Sequence, residues 1–452
     1  MRRLQGALTA FAIALSGQAA AAEITHVATS GEPGHAFDLD ISAGWQRFQE
    51  GATITREAAS GAAPGTVVEE KLLRYVRSRN AVVPRIAIGL WNDLELHAEM
   101  PYVLNDDQSW RFGVHNDKPT GGIPGSPSSI DDDPVKNANG DPCSTTPPAT
   151  PCPLFAVGTT VYHGGLVGDL KVGLAWGIFN DRKDDTKPFW LVGMDATFPT
   201  AKAYDPVTGR NDPTPAAPWQ SPYLKANPGP FGEKIWKWDV YTALSRRLGP
   251  IEPYVKAHGT AMFKSSKTYS NCDNAATLQR LGFMNSNAVA NCAAWGSDAG
   301  AKLPWLAGLT LGTEIVPYED VREGQRVSLD IRLFSDYTSS QRFFNELTDA
   351  TGKILQTEGY LTMGGLVGLY LHASKYVSLQ ATASLSTRSA HYLTGESLGR
   401  TTGSVPAGDL SGATPNPDMN PNFDWRYDAP GRRFRIDEVS LFELGFAGVL
   451  QF

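Results

Sequence analysis

The stretch RIAIGLWNDLELHAEM, residues 85–100, contains two alternating runs joined by Asn92 and Asp93. Ile86, Ile88 and Leu90 oppose Arg85, Ala87 and Gly89, and past the Asn-Asp pair Leu96, Ala98 and Met100 oppose Glu95, His97 and Glu99. A period of two is that of a strand with one apolar and one polar face. Asn and Asp between two such runs read as a tight turn, because their short side chains hydrogen-bond to nearby backbone and tolerate left-handed conformations. The stretch is therefore a hairpin with an apolar side and a charged side.

The same pattern recurs along the chain. Strands are expected near 36–57, 66–92, 94–104, 167–179, 188–199, 234–248, 251–265, 304–318, 325–339, 358–373, 376–393 and 438–452, about twelve in all. Links after the even-numbered strands are short: ND, NDRKDDTK, GP, EDVREG and SK. Links after the odd-numbered strands are longer, several running to tens of residues. Strict alternation of short turns and long loops is the arrangement of a transmembrane antiparallel β-barrel with periplasmic turns and exterior loops. A soluble sandwich has no reason to sort its loops by parity. The fold class expected is all-β, a single barrel domain over 23–452.

The two ends fit that reading. Arg2 and Arg3 precede the apolar run LQGALTAFAIALSG and the small residues of QAAAAE. This is an export signal, residues 1–22, with cleavage expected before Glu23. No later stretch reaches the roughly 20 apolar residues of a membrane helix. At the other end Phe442, Leu444, Phe446, Leu450 and Phe452 share one parity. The last strand is expected to close against the first, with those side chains toward lipid. No long segment precedes the first strand, which speaks against a receptor with an N-terminal plug domain.

Composition allows a membrane barrel. Hydrophobic residues make up 41% of the 452, and the net charge of -7 is spread along the chain. A barrel needs apolar residues only at alternate strand positions. No basic patch of the kind that nucleic acid requires is present. The cysteines form two local pairs, Cys143 with Cys152 and Cys272 with Cys292, read as loop disulfides of an exported protein. Neither pair has the His/Cys spacing of a metal site, and no cofactor motif is present.

The polar parity gathers charges of both signs: Asp38, Asp40, Glu95, Glu99, Asp169, Asp195, Asp239, Glu314, Asp330, Asp336 and Glu443, against Arg85, Lys171, Lys237, Lys256, Arg332 and Arg388, with His97 and His258. These are the expected lumen-lining residues, which must pair or meet water. A solvated network propping the wall and a permeation path with an acidic lean are both open. His391 beside Ser389 has no nucleophile motif around it, so catalysis is not expected.

A resemblance extends over roughly residues 85–200. IAIGLWNDLELHAEMPY, GDLKVGLAW and PFWLVGMDATFPTA resemble the pattern of the outer-membrane barrels named after the meta-pathway of phenol degradation. Gly168-Asp169-Leu170 and Pro101-Tyr102 match, while Ala201 stands after Pro199-Thr200 where that family usually has glycine. The resemblance implies outer-membrane localisation and movement of hydrophobic compounds. The terminal aromatic Phe452 likewise resembles the signal read by the barrel-assembly machinery. The function expected is passive passage of small molecules, hydrophobic or aromatic ones among them; the alternative is a structural or exterior-facing binding barrel. The expected partners are outer-membrane lipid, the assembly machinery and small solutes, and not nucleic acid.

Overall fold

The structure is a computed structural model that describes residues 22–29, 38–59, 67–112, 114–115, 118–119, 160–180, 186–207, 223–320, 322–400 and 416–452. Twelve antiparallel strands form one closed ring. They are β1 (Leu39–Ala59), β2 (Val67–Trp91), β3 (Leu94–Glu99), β4 (Leu170–Phe179), β5 (Phe189–Phe198) and β6 (Ile235–Ser245), then β7 (Ile251–Lys264), β8 (Trp305–Asp320), β9 (Gln325–Thr338), β10 (Tyr360–Ser374), β11 (Val377–Arg388) and β12 (Phe434–Gln451). All twelve expected strands are present. Closure pairs β1 with β12, Ile41 opposite Leu450 and Trp45 opposite Phe446. Leu39 and Phe452 exchange backbone hydrogen bonds of 3.1 and 3.0 Å at the periplasmic rim.

The turns sit where the alternation put them. Asn92, at φ 46°, takes the left-handed conformation that an Asn tolerates, and Gly249 and Gly324 do the same at φ 64° in two other short turns. The apolar parity points outward. Leu174, Trp176, Val240, Leu311, Ile331, Val367 and Phe446 are exposed, and Leu333 and Leu385 reach 67% and 66% exposure. An apolar belt of this extent around a closed barrel is a lipid-facing surface. Trp91, Tyr318, Tyr376 and Phe452 lie exposed at the turn end, with Trp305 and Tyr337 at the loop end, the placement of interfacial aromatics. No helix among the described residues is long and apolar enough to cross a membrane.

Two irregularities moved boundaries. After β3 the chain breaks at Pro101, which cannot donate to a ladder, and then continues along β2 as Tyr102–Phe112. The Pro101 carbonyl instead accepts the Gly168 N–H at 2.7 Å. In β12, Glu438 adopts φ 52° where the register against β1 shifts between Gly51 and Thr53. A bulge there flips the parity, so Phe434 and Ile436, like Val439 and Leu441, are buried inside the barrel mouth. The strand thus begins at Phe434, ahead of the expected 438.

Loops at the exterior end fold into a cap, which the alternation of strands did not foretell. Two short helices, α1 (Ala275–Arg280) and α2 (Ala288–Trp295), lie in it, and the Cys272–Cys292 disulfide, Cα atoms 5.6 Å apart, ties the 3-10 turn ahead of α1 (Asn271–Asn274) to α2. Leu278, Phe283, Met284, Phe343 and Ile354 pack into one cap core. A second core seats Leu347, Leu355, Leu393 and Tyr427 against the inner-wall residues Ile54, Leu73, Tyr75 and Phe434. Cys143 and Cys152 lie outside the described residues.

The parity assignment leads to a prediction with one revision. Leu174→Arg should cost about 2–4 kcal/mol, because the guanidinium would sit in hydrocarbon. Gly173 faces the lumen but has no free space: a Cβ there would overlap Asp195 Oδ1 and His97 Nε2. Gly173→Ala should therefore cost about 1–3 kcal/mol by overpacking, and much less when Asp195 and His97 are both replaced by alanine. Urea unfolding in lipid vesicles measures both; a Leu174→Arg barrel as stable as wild type would refute the outward assignment.

Candidate functional site

The inward parity of the strands builds a charged lumen divided into three adjoining chambers. The exterior chamber, about 220 Å³, is lined by Tyr75, Arg77, Asp106, His163, Glu346 and Arg388 among others. The middle one, about 500 Å³, shares Arg77 and adds Arg79, Glu99 and Glu443. The periplasmic one, also about 500 Å³, shares Glu99 and is lined by Asp40, Arg85, Glu95, His97, Lys171, Asp195, Asp239, Lys256 and Arg332. Arg77 borders the first two chambers and Glu99 the last two, so the three lie in succession along the barrel.

Most of the lumen charges are paired across strands. Arg85 Nη2 donates to Glu95 Oε1 at 2.7 Å, and His97 bridges Glu95 at 2.9 Å and Asp195 at 3.0 Å. Lys171 sits 2.6 Å from Glu99 and 3.6 Å from Asp195. Asp330, 1% exposed, pairs with Arg332 and accepts from Tyr254 Oη at 2.5 Å. Glu314 pairs with Arg326 at 2.5 Å. Gly312 makes room for this layer, since a Cβ there would overlap the Tyr254 ring. Lys256 lies with Nζ 4.5 Å from the Tyr241 ring centroid, and Asp239 accepts from Thr260 at 2.6 Å. Buried charges in a low-dielectric wall are tolerated only when matched in this way.

The other expected lumen residues fall at the two ends. Asp38 accepts from Thr29 Oγ1 at 2.8 Å near the periplasmic rim. At the exterior side Asp169 accepts the Ala201 N–H at 2.8 Å, Lys237 pairs with Glu233 at 2.9 Å, and His258 lies 3.7 Å from Asp336. Arg388 reaches both Glu50, at 2.8 Å, and the cap residue Glu346, at 2.5 Å. The sequence reading missed Glu50, Arg77, Arg79 and Asp106. Arg77 binds Asp106 through two hydrogen bonds of 2.8 and 2.7 Å. Counting back in twos from Arg85 would have found both arginines; the intervening run SRNAVV, residues 78–83, has no clean polar and apolar alternation to mark the faces.

Both mouths are narrowed by the protein's own chain. At the periplasmic end residues 22–29 lie across the lumen. Ala28 N donates to Glu95 at 2.7 Å, Glu23 N to Glu314 at 2.8 Å, and the Glu23 carboxylate meets His372 at 2.7 Å. Val27 packs with Ala175, Phe189, Leu191 and Ala243. Gly89 allows the close pass, because a Cβ there would overlap the Thr29 backbone. A segment of eight residues thus does what a long plug domain does elsewhere, and the hydrogen bonds come from strands on several sides of the barrel.

At the exterior end the cap holds a buried polar network. The segment NPDMNPNFDWRYD, residues 416–428, is almost wholly buried. Asparagines satisfy its backbone: Asn285 Nδ2 donates to Asn420 O at 3.0 Å, and Asn291 Nδ2 to Met419 O at 2.8 Å. Asp424 pairs with Arg426 at 2.6 Å, and Lys353 donates to Asn422 O at 3.0 Å. Burial pushes the Lys353 ammonium down from its ordinary range. Burial also pushes the Asp428 carboxyl up to about 7, against the pull of Lys353 and of the Glu396 and Asp424 N–H groups.

A closed antiparallel barrel with lipid outside and paired charges inside defines a membrane-spanning protein of the outer-membrane type. Neither a family model nor a curated protein matches the chain. Among solved structures, an outer membrane channel from Pseudomonas putida F1 is similar, at 12% identity and a TM-score of 0.40 over 91% of this chain and 95% of that one. A FadL homologue of Pseudomonas aeruginosa is similar at 7% identity and TM-score 0.30, over 92% and 90%. The CymD monoaromatic hydrocarbon channel is similar at 8% identity and TM-score 0.27, over 91% and 87%. At such scores these likenesses add nothing to the strand register already described.

The cap should respond to pH through Asp428. An ordinary aspartate titrates near about 3.9, so between that value and 7 the opened cap is ionised at Asp428 while the closed cap is neutral. Closing is then favoured at low pH, and this contribution is lost as pH rises through about 7. Hydrogen exchange over residues 416–428, followed from pH 4 to 8 and corrected for the intrinsic rate, should show protection falling as pH rises. Asp428→Asn should flatten that profile.

Proposed function

We propose that this protein is an outer-membrane channel for passive passage of small molecules. The observation that supports this most is the run of three adjoining chambers, whose lining residues overlap from the cap to the periplasmic segment. A wall needed only for strength has no use for a succession of polar chambers of this size. Hydrophobic or small aromatic solutes are the first class to test. Tyr75, Tyr204, Phe231, Phe344 and Tyr360 ring the exterior chamber and give such a solute faces to rest on. Among the described residues, the lumen histidines His97 and His163 are held between or beside wall and cap carboxylates, with no serine or cysteine in hydrogen-bond contact with either ring. The reading is of a non-enzyme. Phe442, Leu444, Phe446, Leu450 and Phe452 are proposed as the strand read by the assembly machinery.

The charge distribution bears on selectivity. Asp330 and Glu314 are spent in ion pairs with Arg332 and Arg326, and Asp169 holds a loop N–H. Those three prop the wall. Acids nonetheless outnumber permanent cations around the periplasmic chamber, so a modest cation preference is expected there.

A structural barrel without transport is the second reading, favoured by the closure of both mouths. Planar-bilayer recording separates the two. Wild type should show a small conductance, and deletion of Ile24–Thr29 should raise it several-fold without changing barrel assembly. No conductance from either the wild type or the deleted form would favour the structural barrel.

A further inference from the structure

We propose that the mature chain begins at Ala22, and that the α-ammonium freed there by export processing is the cation that completes a buried ionic cluster at the periplasmic end of the lumen. The sequence pattern placed the cut one residue later, before Glu23. The geometry of the segment distinguishes the two positions.

Ala22 N lies 2.8 Å from Glu252 Oε1, and Ser245 Oγ donates to the same oxygen at 2.7 Å. Glu252 is 0% exposed. Its second oxygen, Oε2, is buried and has no hydrogen-bond partner among the described residues. A peptide N–H offers one hydrogen. An α-ammonium offers three and a positive charge, which is what this carboxylate lacks.

Counting charges gives the same answer. Three carboxylates of this end engage Ala22 and Glu23 themselves: Glu252 at the Ala22 N–H, Glu314 at the Glu23 N–H, and the Glu23 side chain. Glu314 is matched by Arg326 at 2.5 Å, and Glu23 by His372 at 2.7 Å. Glu252 has hydroxyl and N–H donors but no cation within ion-pair distance among the described residues. A chain beginning at Glu23 would place its ammonium on Glu314, 2.8 Å away. That carboxylate would then have two cations and Glu252 none. A chain beginning at Ala22 gives one permanent cation to each of the two wall carboxylates, Arg326 to Glu314 and the α-ammonium to Glu252. Ala22 is also anchored from the other side, since its carbonyl accepts from Thr25 N at 2.9 Å and from Thr25 Oγ1 at 3.0 Å. Thr25 Oγ1 in turn meets Ser245 at 3.0 Å, which fixes the aim of the amine.

The chemistry is hydrolysis of the Ala21–Ala22 peptide bond by water. The leaving signal takes the carboxylate, and the mature chain takes the amine, which protonates. Small alanines at 19 and 21 suit the specificity of an export-signal peptidase for that bond. The unprocessed chain carries no charge at this nitrogen, so only the processed chain gives Glu252 a cation.

The test uses the full-length protein purified from outer membranes. N-terminal sequencing and intact mass should give Ala22 as the first residue, and a chain starting at Glu23, or one still carrying its signal, would overturn the proposal. Acylation of the α-amine, read on the N-terminal peptide by mass spectrometry, should be at least about ten-fold slower in the folded barrel than in the heat-unfolded one. Equal rates would overturn it as well. Glu252→Gln should raise the folded-state rate toward the unfolded one, and an unchanged rate would remove Glu252 from the assignment.

Discussion

The structure depends on one backbone pairing, that of the first strand with the last. In hydrocarbon no water is available for free N–H and C=O groups, so a sheet with open edges cannot persist. The ladder from Asp40–Gln451 to Arg56–Phe434 removes both edges at once. The outward face of that seam is apolar, with Trp45 and Phe446 stacked 6.0 Å apart. The inward face must then hold everything the strands cannot show to lipid. Closure outside therefore dictates charge pairing inside.

The lumen obeys that demand through close layers of residues rather than isolated bridges. His97 joins Glu95 to Asp195, Lys171 joins the same Asp195 to Glu99, and Arg388 ties a wall acid to a cap acid. Glycines at 173 and 312 leave the room these side chains occupy. Residues 22–29 and the cap add their own polar groups to the same scheme, drawing N–H donors onto Glu95 and Glu314. What closes the lumen also neutralises it, so a segment cannot leave the path without uncovering wall carboxylates.

The barrel was legible because its rule is local. Period-two alternation in stretches such as Leu170–Ile178, and turn residues such as Asn92 and Gly249, carry the strand positions and their direction in short windows. The same parity placed Arg85, Glu95, His97 and Asp195 on the inner face before their contacts were known. The cap was not legible, because it is held by non-local side chain to backbone bonds from Asn271, Asn285 and Asn291 that have no period. The inward role of Phe434 and Ile436 was hidden by the bulge at Glu438, which shifts parity without leaving a sequence signature. The small plug was hidden for a third reason: Val27 and Ala28 mean little until the acids that receive them are brought around the ring by closure.

The central claim is that the chain's own N-terminal segment lies inside the closed barrel and governs the path. Thr25 Oγ1 and Ser245 Oγ stand 3.0 Å apart, on the segment and the wall respectively. A Thr25→Cys, Ser245→Cys double variant should form a disulfide during export, conduct no more than wild type while oxidised, and conduct more after reduction than when bridged. Two thiols that remain free, or a bridged protein whose conductance does not change on reduction, would contradict the account.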